Sequence, residues 1–279
     1  MRKGKKALAT LGALSLVLLL SACSTSPVTS NSTGFWDHYI IWNFVRAIRG
    51  LSNIFGGSFG MGIIIFTVIV RVIILPLMFY QMKSSRKTME LQPQLKALQK
   101  KYPDRDQESM RAMQEEQKKL YAEAGVNPVA GCLPLLVQMP VLIALYQAIF
   151  RSQELKTGTF MWMQLGDKDP YFILPILAAI FTFATSKLTV MSQPDTGQKG
   201  MTMAMTYGMP VMILITAINV PAALSLYWVI TNAFSVGQTL LINNPYKIIR
   251  EREEKEQAKR QQERNLKKAK KRALRNRKK

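Results

Sequence analysis

The apolar residues of this chain arrive in blocks, each about as long as a bilayer's hydrocarbon core requires, roughly 20 residues in helical form. The charged residues gather between and after those blocks. That segregation excludes an ordinary soluble domain, whose apolar residues recur at helical or strand period along the whole chain. It predicts an all-α membrane protein with spans over 60–80, 134–150, 170–190, 203–219 and 221–242. Only Asn219, Val220 and Pro221 stand at the junction of the last two, so a tight turn joins them. The near-neutral mean hydropathy of +0.03 averages the spans against a charged tail.

Charge between the spans sets their orientation. Segment 81–133 carries ten Lys/Arg, whereas 151–169 carries Arg151, Lys156 and Lys168 balanced by Glu154, Asp167 and Asp169. Basic segments stay on the cytoplasmic side. This places 81–133 and the C-terminal 243–279 in the cytoplasm, and the N-terminus and 151–169 outside. Within 81–133, Pro103 and Asp104 interrupt a helix-forming run, predicting a helical hairpin with helices near 84–101 and 105–123. Gly125 and Asn127-Pro128 end the second. Met82, Met89, Met110 and Met113 punctuate the hairpin; such thioethers suit adaptable apolar contacts, and ordinary packing accounts for them too.

The first residues have a tripartite pattern. Arg2, Lys3, Lys5 and Lys6 precede an apolar run from Ala7 to Leu20, closed by Leu20-Ser21-Ala22-Cys23. This is a secretory signal, 1–22, rather than a permanent span. Its ending resembles the bacterial lipobox, which implies cleavage before Cys23 and acylation (diacylglycerol, palmitate-type chains) of its sulfur. Segment 23–59 then forms an extracytoplasmic tether and an amphipathic helix over 35–55. Ile41, Phe44, Val45, Ile48, Leu51 and Ile54 share one face of that helix, with Asp37, Arg46, Arg49 and Asn53 mostly away from it. Such a helix is expected to lie in the outer interface.

Arg71 stands near the middle of GMGIIIFTVIVRVIILPLMFY. Lys83, the first charge on the cytoplasmic side, lies roughly 18 Å away along a helix, beyond the reach of a snorkelling side chain. A mid-membrane arginine costs about 2.5–3.5 kcal/mol on insertion scales. An ion pair would relieve it, yet no Asp or Glu occurs in any predicted span. A solvated cavity is the simplest accommodation. Other spans can line it: Ser225, Trp228, Asn232, Ser235 and Thr239 make a polar stripe at spacings of three and four. Thr182, Ser186 and Thr189 repeat the pattern with Thr185 beside them, Thr67 precedes Arg71 by one turn, and Gln138 and Gln147 lie on the second span. Interhelical hydrogen bonding explains any one of these singly. Together with an unpaired arginine they predict a hydrophilic groove.

From Lys247 the chain carries sixteen Lys/Arg against five Glu, ending in Lys267, Lys268, Lys270, Lys271, Arg272, Arg275, Arg277, Lys278 and Lys279. Ribosomal RNA and anionic lipid headgroups both attract such a run, and an anchor by charge alone is the simpler alternative. Two cysteines, Cys23 and Cys132, make no disulfide framework, and with His38 the single histidine no metal site or cofactor is expected. There is no phosphate-binding G-x-x-x-x-G-K-[ST] and no intramembrane Ser/His or Asp pair, so no enzyme is expected. An anion transporter or channel using Arg71 is the alternative; against it stand the lack of an intramembrane carboxylate and of an inverted repeat.

Arg71 in its span, LQPQLKALQKKY at 91–102, NPVAGCLPLLVQMPVLIALYQAI at 127–149, PYFILPILAAIFTF at 170–183 and PAALSLYWVITNAFSVGQ at 221–238 form an ordered set. The set resembles the YidC/Oxa/Alb family of membrane protein insertases, in its Gram-positive lipoprotein branch. The resemblance implies five helices around a groove open to cytoplasm and lipid, with Arg71 as the groove arginine and Trp228 as the last-span tryptophan. Where a relative has glutamine on the third span, this chain has Thr185. It also implies nascent membrane proteins as clients received by the hairpin, the ribosome as partner of the tail, and action alone or with the Sec translocon in the bacterial cytoplasmic membrane.

Overall fold

The computed structural model describes residues 26–104, 106–127, 133–193, 199–242 and 244–277. The signal segment, Cys23, Cys132, Lys278 and Lys279 lie outside these residues. Among the described residues the regular elements are helices, apart from a small hairpin of two-residue strands, β1 (Thr159–Phe160) with β2 (Met163–Gln164). A π-helical turn, Trp36–Ile41, leads into α1 (Trp42–Ile54), followed by α2 (Phe59–Glu90), α3 (Gln92–Lys101) and α4 (Gln107–Glu123). After α5 (Leu133–Arg151) and the short α6 (Gln153–Thr157) come α7 (Ile173–Met191), α8 (Lys199–Met203) and a π-helical stretch, Ala204–Gly208. The chain closes with α9 (Met209–Asn219), α10 (Ala222–Ile242) and α11 (Pro245–Arg277).

Among the described residues, α2 and α7 are long and apolar enough to cross a membrane; Leu136–Arg151 and Ala204–Asn219 are shorter apolar helices. Pro76 and Pro140 sit inside α2 and α5, positions that would break a helix in water. Helices surrounded by lipid and protein tolerate them, because neighbouring groups take up the freed backbone. α10 packs on α7 and α2, and α9 on α7. Ala217, Ala222 and Ala223 let the α9–α10 turn close tightly.

Two expectations are corrected. The first hairpin helix was expected near 84–101, but α2 runs unbroken through Lys83 to Glu90 and turns only at Leu91, before Pro93 in the first turn of α3. Residues 81–90 are a helix-forming run without Gly or Pro, so nothing stops the span helix where its apolar stretch ends. The apolar face of 35–55 is also not free for a membrane interface. Ile41, Val45 and Ile48 are fully buried, with α1 packed on α2 and α5, while Ile54, assigned to the same face, is 73% exposed. The approach of α1 to α2 depends on Gly62: a Cβ there would lie 2.2 Å from Ser52 Oγ and 2.6 Å from the Ile48 carbonyl.

At the Arg151 end of the bundle, charges counted as loop balance are structural. Arg151 is buried and pairs with both carboxylate oxygens of Asp37, with Nη1 at 2.9 Å from Oδ1. It also donates to Gln147 Oε1 at 3.1 Å and to the Ser26 carbonyl at 2.7 Å. Trp36 Nε1 donates to the same Gln147 oxygen at 3.2 Å. Asp169, 2% exposed, accepts from the backbone N–H groups of Tyr171 and Leu174 and from Trp162 Nε1. It thereby starts α7 where Phe172 turns left-handed, with φ of 55°.

Candidate functional site

Arg71 projects from α2 between two cavities. One, of about 450 Å³, is lined by Thr67, Arg71, Gln138, Tyr227 and Asn232 together with apolar side chains of α2, α5 and α9. The other, of about 360 Å³, continues from Arg71 toward Arg86 along Met78, Gln81, Met82, Ser85 and Met89 of α2. Its far wall is Thr185 and Thr189 of α7 and Ser192 just past its end, with Ser235, Gln238 and Thr239 of α10, and Ile248 of α11 lies at its end. Neither lining contains a carboxylate.

Among the described residues, Arg71 makes one side-chain hydrogen bond: Nη2 donates to Gln138 Oε1 at 3.3 Å. Gln138 passes the polarity on, its Nε2 donating to the Tyr227 hydroxyl. The chain is neutral beyond the guanidinium, so the positive charge is solvated by dipoles and not cancelled. A guanidinium has five N–H donors, and one is engaged here. The two cavities give the others room for water, which removes the need for a buried anion.

The structure brings Thr67, Arg71, Gln138, Thr185, Asn232 and Ser235 into these linings. It puts Thr182, Ser186, Ser225 and Trp228 in neither. Ser225 is fully buried and donates to the Ala217 carbonyl across the α9–α10 turn at 3.1 Å. Thr182, also buried, donates to Ala178 O within its own helix. Trp228 packs against the apolar core, and Ser186 is half-buried. Gln147 belongs to the Arg151 cluster. Sequence reasoning passed over Tyr227, Gln81 and Gln238. The stripe on α10 was phased on Ser225, which the turn consumes; the lining face runs Tyr227, Asn232, Ser235, Gln238, Thr239. The spacing of Tyr227 from Asn232, Ser235 and Gln238 was the signal that could have found it.

At the Arg86 end, Arg86 Nη2 lies 3.3 Å from Glu251 Oε2 of α11 and Arg86 Nε lies 3.4 Å from Glu90. Arg252 donates to the Ser192 carbonyl at the end of α7. Burial, and then the nearby Arg86, hold the Arg252 guanidinium below its ordinary pKa, with Glu90 opposing. Farther out, α3 and α4 are clipped by Lys101 Nζ and the Tyr102 hydroxyl, both on Glu116 Oε1, at 2.5 and 2.9 Å.

Comparison with known proteins decides the family. Residues 50–263 match the model of the 60Kd inner membrane protein family. The chain is 59% identical over 255 residues to the membrane protein insertase YidC of Pediococcus pentosaceus, covering 91% of each. It is 64% identical to insertase YidC 2 of Lactiplantibacillus plantarum, covering 92% of each. The chain belongs to the YidC family of membrane protein insertases. A crystal structure of an active YidC insertase with its first transmembrane domain resolved superposes with a TM-score of 0.55 at 29% identity. The superposition covers 74% of this chain and 47% of that one, so the chain spans about half the length of that YidC.

Proposed function

We propose that this chain inserts nascent membrane proteins into the bacterial cytoplasmic membrane and helps them fold, through a positively charged hydrophilic groove formed by the two cavities. In this reading five spans carry the groove, namely α2, α5, α7, α8 with α9, and α10. The α3–α4 hairpin and α11 are cytoplasmic, and the Arg151 end is outside with a lipid on Cys23. Clients arrive from the ribosome, with or without the Sec translocon, and the tail meets rRNA or anionic lipid.

The observation that carries this reading is the position of Arg71: a cation without a carboxylate partner in either lining, at the junction of two cavities, between helices that expose apolar flanks. A client's short polar segment must cross hydrocarbon. A wet groove shortens the dry path, and a fixed charge attracts acidic residues in that segment. The client's apolar helix then partitions sideways into lipid, which is the driving force. The protein breaks no covalent bond, so the reading calls for no catalytic residue, metal or cofactor.

Reconstituted insertion of a single-span client with an acidic N-terminal segment tests it. Arg71→Lys is expected to retain insertion and Arg71→Ala to lose it. An active Arg71→Ala on that client would overturn the electrostatic account.

A further inference from the structure

The last helix reads in sequence as a charged tail, but its first turn is part of the cavity wall. Pro245 is fully buried, Ile248 is 3% exposed, and Ile248 lines the same cavity as Arg71. One turn later Glu251 meets Arg86 of α2, and Arg252 meets the Ser192 carbonyl at the end of α7. These residues share one helical face at spacings of three and four, so a single helix surface bridges the two walls of the cavity mouth.

Beyond that root, residues 253–270 are exposed on every side. At the helical rise they extend roughly 27 Å from the body. Ion pairs Arg250–Glu254 and Arg260–Glu256, at 3.0 and 2.6 Å, stiffen the helix from within. Its charge is polarised. Over 247–256 four Glu offset four Lys/Arg, while from Lys259 onward twelve Lys/Arg stand against Glu263 alone. A polyanion therefore takes hold of the far part and gains no net attraction from the root. Leu266 is the single exposed large apolar residue of 253–270. A helix lying among headgroups needs an apolar face. The chemistry thus fits a polyphosphate chain such as structured RNA better than a membrane surface.

We propose that the root of α11 is a latch on the Arg86 mouth of the groove, and that RNA held by the far part of the same helix levers the latch open. The continuous helix transmits the load, because displacing its basic half tilts Ile248, Glu251 and Arg252 away from α2 and α7. The contacts are suited to release: the Arg86–Glu251 pair is part-exposed on both sides, the class of ion pair that holds least tightly. The latch takes its purpose from the insertase reading, but its opening is measurable without any client.

The test uses the full chain in vesicles with the Arg86 end accessible, Cys132→Ser, and Gln81→Cys as a reporter within the mouth. The rate of labelling by a charged, membrane-impermeant maleimide is followed. Glu251→Arg, and independently Arg86→Gln, are expected to raise that rate about fivefold or more, as for release of a locally closed segment. Glu251→Asp should leave it low. Purified ribosomes should raise the rate comparably in the full chain with Arg86 and Glu251 intact, and not in a chain truncated after Lys255. Unchanged labelling in both Glu251→Arg and Arg86→Gln would overturn the latch. A rise with latch variants but none with ribosomes would overturn the lever. A rise that follows the phosphatidylglycerol content of the vesicles instead would overturn the assignment to RNA. Loss of insertion with normal labelling behaviour would count against the insertase reading alone.

Discussion

Gln138 uses both ends of its amide: the oxygen accepts from Arg71 and the nitrogen donates to Tyr227. A neutral residue can relay hydrogen bonds in this way without cancelling the charge at their origin. Arg151 shows the opposite arrangement. Its guanidinium is matched by a carboxylate in bidentate geometry, its side chain is 4% exposed and that of Asp37 17%. Removing one member of a buried pair leaves an uncompensated charge, at a cost of about 3–5 kcal/mol. Arg151→Met is therefore expected to lower the thermal unfolding midpoint in detergent sharply, and Asp37→Leu/Arg151→Met to recover most of the loss. Equal Tm values for the single and double variants would contradict this. Arg71 was legible from sequence because one cation among apolar neighbours needs no second residue to be noticed. The Asp37–Arg151 pair was not, since its members stand 114 residues apart and each lies beside a loop. Nor was Gln138–Tyr227, separated by 89.

At the scale of elements, apolar runs were read well as helices because hydrophobicity, the quantity that selects them, is local. Their ends were read less well. α2 outlasts its apolar stretch by ten residues since Lys and Gln are good helix formers, and α7 starts at Ile173 because the Asp169 cap holds the preceding turn. The α3–α4 clip yields a pH prediction. Hydrogen bonds from Lys101 and Tyr102 hold Glu116 below its ordinary pKa, so the clip is complete above the usual glutamate value of about 4.3. It is lost as pH falls through the lowered folded value. Lys101 is raised, chiefly by the same bond to Glu116, so the alkaline edge lies above the usual lysine value of about 10.4. Spin labels on α3 and α4 are expected to keep one separation from about pH 6 to about pH 9, inside the window between those two values, and to spread below about pH 4. A separation unchanged at pH 3 would show that packing alone holds the pair.

For the molecule as a whole, stability is unevenly distributed. The core gathers α1, α2, α5, α7 and α10 around Ile41, Ile48, Ile63, Leu145 and Ile149, all fully buried, whereas α4 buries no residue and residues 253–270 of α11 are all exposed. Limited trypsinolysis should cut first between Lys96 and Lys119 and after Arg260, well before any site in the bundle; mass spectrometry of early fragments checks the order. Early cleavage at Arg151 would contradict the buried cluster. The lone charge at Arg71 has one more consequence. The groove proposed above, filled with water and reaching toward mid-bilayer, would thin the insulation against which a cell holds its proton gradient. A cation 10 Å from an uncancelled guanidinium, at an effective dielectric of 20, is opposed by about 1.7 kcal/mol, more than tenfold in occupancy. If the proposed groove is hospitable to acidic peptide because of Arg71, the same residue makes it a poor leak for hydronium and sodium.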